Sequence, residues 1–70
     1  MDPEGVFRRL TEHTWTGRLG SYRVQVFRSA GLWSAWVGDA RGHGAVCLPA
    51  ESLADGARRA RAWVEAHPPP

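Results

Sequence analysis

A regular alternation of side chains in the middle of the chain constrains the fold more than any other feature. Between residues 22 and 28, Val24 and Val26 alternate with Arg23 and Gln25. A period of two predicts a β-strand with one buried and one exposed face. A single strand is not stable alone, so its neighbours must come from the rest of a 70-residue chain. The alternation therefore predicts a β-sheet at the centre of one small domain spanning residues 1–70.

The flanking segments carry strand signals too. Thr14–Leu19 is rich in strand-forming residues, Leu32–Val37 alternates, and Gly44–Leu48 forms a last short run that Pro49 is expected to stop. Glycine-containing breaks separate these runs, as tight turns do. The pattern predicts an antiparallel meander of three or four strands.

The C-terminal part changes to a helical period. Its apolar residues recur at helical spacing and form one stripe: Leu53, Ala57, Ala60 and Val64. Ser52 followed by Asp55 is typical of a helix N-terminus, and the prolines at 68–70 predict a frayed tail. The expected fold is α+β, with a three- or four-stranded antiparallel sheet packed on one C-terminal helix.

Residues 1–12 form an N-terminal segment that predicts a short helix. Residues 2–4 suit a first helical turn, after which Val6, Phe7 and Leu10 would share one side. In one interpretation this helix folds over Phe27 and Trp36 and closes a second small core. In the other, the two aromatic rings stay exposed.

The alternation also divides the side chains of the sheet into two sets. If the set containing Val24, Val26 and Trp33 meets the helix, the opposite face carries arginine, aromatic, aliphatic and polar residues: Arg23, Gln25, Phe27, Leu32, Ser34 and Trp36. Such flat surfaces stack bases, or they bind proteins through aromatic and arginine anchors.

From residue 22 onward, several residues occur in an order found in known DNA-binding domains: Tyr22-Arg23, Arg28, Gly31-x-Trp33-x-Ala35-x-Val37-x-Asp39 and Ala57-x-Arg59-Ala60. In this order the chain resembles the plant-type AP2 domain and, in outline, the arm-binding domains of tyrosine integrases. The resemblance implies a β-β-β-α architecture with DNA contacts from the sheet. Arg23 and Arg28 match DNA-facing positions of the family, whereas Trp36 and Cys47 depart from it. The chain is also similar, more loosely, to HicB-type antitoxin domains.

All nine basic residues are arginine, yet the formal net charge is only +2. That charge does not by itself demand a nucleic-acid partner. Exclusive use of arginine fits the codon preference of a GC-rich genome, and it also fits selection for planar, bidentate hydrogen bonding. A second basic cluster lies on the helix, where it would contact phosphate or form a solvated face with intrahelical ion pairs: Arg58, Arg59 and Arg61.

Catalytic and metal-binding patterns are weak. Cys47 is the only cysteine, and on a strand it would stand about 13 Å from His43, beyond the reach of a nucleophile–base pair. His13 and His67 lack the spacing of zinc ligands. We expect no enzymatic activity, no cofactor and no metal. Without a membrane-span-length apolar run or a signal-peptide core, the expected location is the cytoplasm.

These observations predict a small non-enzymatic binding or regulatory module. The leading hypothesis is nucleic-acid binding, with Arg23 and Arg28 contacting phosphate or base and Phe27 or Trp36 stacking. The candidate residues are Arg23, Gln25, Phe27, Arg28, Trp36 and Arg41. The alternative is a protein-interaction module that uses the same face, such as an antitoxin, an inhibitor, a phage regulator or a homodimer.

Overall fold

A computed structural model describes residues 7–39, 41 and 46–68. It contains five strands and one helix: β1 (Phe7–Thr11), β2 (Thr14–Leu19), β3 (Tyr22–Ser29), β4 (Leu32–Asp39), β5 (Val46–Ala50) and α1 (Leu53–Ala66). Each strand pairs antiparallel with the next, so the sheet is a meander in the order β1-β2-β3-β4-β5. The predicted α+β class, with an antiparallel sheet packed on a C-terminal helix, is confirmed.

The sheet has five strands, so the prediction of three or four is wrong, and so is the predicted helix in residues 7–11. This segment is β1, which runs along β2 with Phe7 opposite Gly17 and a bulge between Arg9 and Thr11. A helix of about two turns is marginal without docking, whereas the edge of β2 offers a row of unpaired backbone groups. Residues 1–6, which include the predicted helix start and Val6, lie outside the described residues.

Pro49 lies within β5, although it was expected to end that strand. It stands opposite Ser34 of β4, and β5 is an edge strand, where a missing backbone N–H can face away from the sheet. The strand therefore continues to Ala50. Residues 42–45, with the predicted strand start at Gly44, lie outside the described part of the chain.

A two-residue turn joins β3 to β4. Ser29 stands opposite Leu32, and the two residues between them have positive φ, 53° at Ala30 and 78° at Gly31. Positive φ at both central positions is the type I′ geometry, which matches the twist of the flanking strands. Glycine adopts it freely, whereas the alanine is strained.

The core lies between one sheet face and α1, which packs on β3, β4 and β5. Its fully buried members come from two strands and the helix: Val24, Val26, Ala35, Val37 and Ala60. The helix approaches closely at Gly56, where a Cβ atom would stand 2.6 Å from a methyl carbon of Val26. In the described part of the chain, no helix is long and apolar enough to cross a membrane.

Both ends of α1 are anchored. At the start, the Ser52 hydroxyl accepts a hydrogen bond from the Asp55 N–H at 3.1 Å, which confirms the predicted cap. At the end, the Tyr22 hydroxyl donates to the carbonyl of His67 at 2.6 Å. The Trp63 ring packs edge-on against the Tyr22 ring and stacks on the His67 ring. The helix ends at Ala66, and residues 69–70 of the expected tail are outside the described residues.

Candidate functional site

The face of the sheet opposite α1 carries no described element, and we call it the open face. The strand register arranges its side chains in rows across the strands. The central row crosses all five strands and consists of Arg8, Thr16, Gln25, Trp36 and Cys47. One neighbouring row contains Arg18, Arg23 and Gly38, and the other contains Thr14, Phe27, Ser34 and Pro49.

Three arginines occupy one corner of the open face, and we call Arg8, Arg18 and Arg23 the arginine corner. Arg18 stands directly opposite Arg23. Arg8 stands opposite Thr16, which precedes Arg18 by two residues on β2. Direct and diagonal cross-strand neighbours have Cβ atoms roughly 5–8 Å apart. The three side chains line a shallow hollow with Thr16 and Gly17. None of them forms an ion pair within the described part of the chain.

No aspartate or glutamate occupies an open-face position on the described strands. Asp39 lies opposite Tyr22 on the helix side, and Glu12 lies in the β1–β2 turn. The remaining described carboxylates follow β5 in the chain. No carboxylate of the described strands therefore offsets the positive charge of the arginine corner on its own face, and this charge favours an anionic ligand there.

An aromatic pair adjoins the arginine corner. Phe27 and Trp36 are diagonal neighbours on β3 and β4, each partly buried. With Thr16, Arg23 and Gln25 they line a second hollow of about 300 Å³. Because Thr16 and Arg23 line both hollows, the charged and aromatic parts of the open face form one continuous surface.

The predicted cover over these rings is not formed by β1. Phe7, expected to fold over Phe27 and Trp36, packs against the core on the helix side. Leu10 is 55% exposed. The interpretation in which these two residues close a second core on the open face is therefore wrong.

Two predicted site residues lie away from the open face. Arg28 stands opposite Trp33 on the helix side, with its guanidinium carbon 5.9 Å from the centre of the Trp33 ring. It is an odd number of residues from Arg23, so the two point to opposite faces of one strand. Arg41 follows β4 as an exposed residue whose N–H donates to the Asp39 carboxylate at 2.9 Å.

Two arginines of the helical cluster form ion pairs with the same carboxylate, that of Asp55. Arg59 donates to Asp55 at 2.8 Å, and Arg58 donates to its other oxygen. These bonds, with a third from the Glu51 N–H, lower the pKa of Asp55 from 3.8 to about 2, and the Arg59 bond contributes most. Arg61 lies partly buried on the same helix. The cluster therefore matches the intrahelical ion-pair interpretation better than a phosphate site.

Sequence reasoning missed Arg8 and Arg18 as members of the open face. The signal for Arg18 is present in the chain, because the tight turn at 20–21 places Leu19 opposite Tyr22 and hence Arg18 opposite Arg23. Arg8 has no such signal, since its segment suits a helix by local pattern.

A second arginine–tryptophan cluster, also missed, lies on the helix side of the sheet. The rings of Trp15 and Trp33 have centroids 5.8 Å apart. Arg9 lies 5.7 Å from the centre of the Trp15 ring, and Arg28 covers Trp33. Cation–π contacts of this kind cover the faces of both rings. They engage Arg28 in the packing of the domain, which separates its role from that of Arg23.

Comparison of the chain with protein-family models, with curated proteins and with solved structures finds no match in any of the three. The geometry and charge of the open face are therefore the basis for any assignment of function.

Proposed function

We propose that the protein binds nucleic acid through the open face of its sheet. The observation that carries this proposal is the arginine corner, which shares its face with no carboxylate of the described strands and is continuous with Phe27 and Trp36. A polyanion that also presents flat aromatic bases satisfies both parts of that surface.

Each part of the surface has a distinct task in this proposal. The guanidinium groups of Arg18 and Arg23 bind phosphate oxygens, for which their planar fork is well shaped. Phe27 and Trp36 stack on bases. Gln25 lies between the two parts, in the row of Trp36, where its amide can donate to and accept from a base edge.

The test is the affinity of a fluorescently labelled oligonucleotide, measured by anisotropy at low and physiological salt. We expect saturable binding that weakens steeply with salt, because phosphate neutralisation releases counterions. Arg23→Gln should weaken binding and reduce the salt dependence by about one ion. Arg28→Gln is the matched control, since it removes the same charge from the other face of the same strand, and it should change affinity less than Arg23→Gln does.

A footprint on Cys47 locates the ligand independently. This exposed thiol stands opposite Trp36 at the far end of the central row. Bound oligonucleotide should slow its alkylation by iodoacetamide. Absence of binding at low salt, or equal losses in Arg23→Gln and Arg28→Gln, would overturn the proposal and favour a protein partner on this face.

A further inference from the structure

The width of the open face bears on which form of nucleic acid it can bind. Neighbouring strands lie about 4.8 Å apart, so five strands span about 19 Å from β1 to β5. The major groove of B-DNA is only about 12 Å wide and admits a helix or a two-stranded ribbon. The complete sheet is therefore too wide to enter that groove face first.

The position of the aromatic pair strengthens this restriction. Phe27 and Trp36 lie on β3 and β4, with β1 and β2 on one side and β5 on the other. Neither ring stands at an edge from which it could reach into a groove. Both rings are partly buried in the sheet surface, so a base must approach close to that surface to stack on them. Bases in a duplex are already stacked on one another, whereas those of a single strand can turn outward onto a flat platform.

We propose, on the basis of the function above, that the ligand is single-stranded. Its backbone lies on the arginine corner and its bases stack on Phe27 and Trp36. Arg23 and Phe27 are four residues apart on β3, about 13 Å. The bound strand therefore spans this distance between a phosphate on Arg23 and a base on Phe27. Because of its width, the sheet cannot bring Phe27 and Trp36 into contact with the bases of a duplex. The arginines alone do not discriminate between single-stranded and duplex nucleic acid.

The experiment compares one labelled 12-nucleotide strand of mixed sequence, alone and annealed to its complement, by anisotropy titration. We expect the single strand to bind at least about ten-fold more tightly than the duplex. Trp36→Leu should weaken single-strand binding about five- to a hundred-fold and should weaken duplex binding less. Trp36→Phe keeps an aromatic face and should retain most of the affinity, with circular dichroism confirming that each variant is folded. If Trp36→Leu does not fold, Phe27→Leu replaces it.

The possible results separate this inference from the proposed function. Equal or tighter binding of the duplex, still weakened by Arg23→Gln, would overturn the single-strand assignment and leave nucleic-acid binding in place. No binding of either form would overturn both. A single-strand preference that survives both Trp36→Leu and Phe27→Leu would overturn the stacking role of the aromatic pair.

Discussion

Arg18 and Arg23 face each other directly across the β2–β3 ladder, on the face of the sheet that the helix does not cover. Like charges directly opposite one another destabilise a sheet. No carboxylate lies between them on the described strands. The free protein therefore carries a repulsion that an anion bound between the two guanidinium groups would relieve.

Replacing Arg18 should separate stability from binding. Arg18→Thr keeps a good strand former and removes the repulsion, so the free energy of unfolding should rise by about 0.2–1 kcal/mol. Oligonucleotide affinity should fall. Urea unfolding at low and high salt measures the change, because only the electrostatic part of the gain is screened. Arg8→Thr, which removes a charge opposite Thr16, should gain less. A destabilised Arg18→Thr at low salt would contradict the prediction.

The type I′ turn between β3 and β4 provides a test of backbone strain. Ala30 has φ 53°, and asparagine tolerates this left-handed region better than alanine does. Ala30→Asn should therefore raise the free energy of unfolding by up to about 1 kcal/mol. Gly31→Ala, at φ 78°, should lower it, which provides a control of opposite sign in the same turn. Thermal or urea unfolding measures both, and equal effects of the same sign would refute this account of the turn.

The approach of α1 to the sheet at Gly56 predicts an unusual sign for a helix substitution. Alanine ordinarily stabilises a helix relative to glycine by about 1 kcal/mol. Here the added methyl group would meet a methyl of fully buried Val26 at 2.6 Å, and overpacking costs about 1–3 kcal/mol. Gly56→Ala should destabilise the protein. Ala62→Gly, on the exposed side of the helix, should lower the free energy of unfolding by about 1 kcal/mol. This control would show that helix propensity affects the stability of this protein.

The ion pairs of Asp55 predict acid sensitivity. Its folded-state pKa of about 2 lies below its ordinary value of 3.8. The unfolded state therefore binds the proton more readily, and the stabilisation, present above about pH 4, is lost as the pH falls towards 2. Asp55→Asn should be less stable than the wild type at neutral pH, and the difference should shrink across that range. Urea unfolding of both proteins from pH 7 to pH 2 checks this, and a constant difference would rule out the ion pairs as its cause.

Local pattern was sufficient for the elements whose signals lie within a few residues. Thr14–Leu19 is a strand with the predicted bounds, and Ser52 caps the helix through the Asp55 N–H. Both depend on alternation or capping, which the backbone expresses locally. The predicted division of the β3 side chains between two faces is also observed, since Val24 and Val26 are buried and Arg23 is exposed.

The first strand is different, because pairing with an available edge can override a weak helical pattern. Its conformation depends on pairing with β2, and the register of that pairing places Arg8 diagonally across from Arg18 on the open face. The sequence by itself determined the alternating strands and the helix. It also determined that Arg23 and Arg28, five residues apart on one strand, lie on opposite faces of the sheet. Only the tertiary structure decided that five strands form the sheet and that three arginines meet at one corner. The physical reason is that strand pairing brings together residues from separate segments, and the local sequence of each segment does not determine which segment it pairs with.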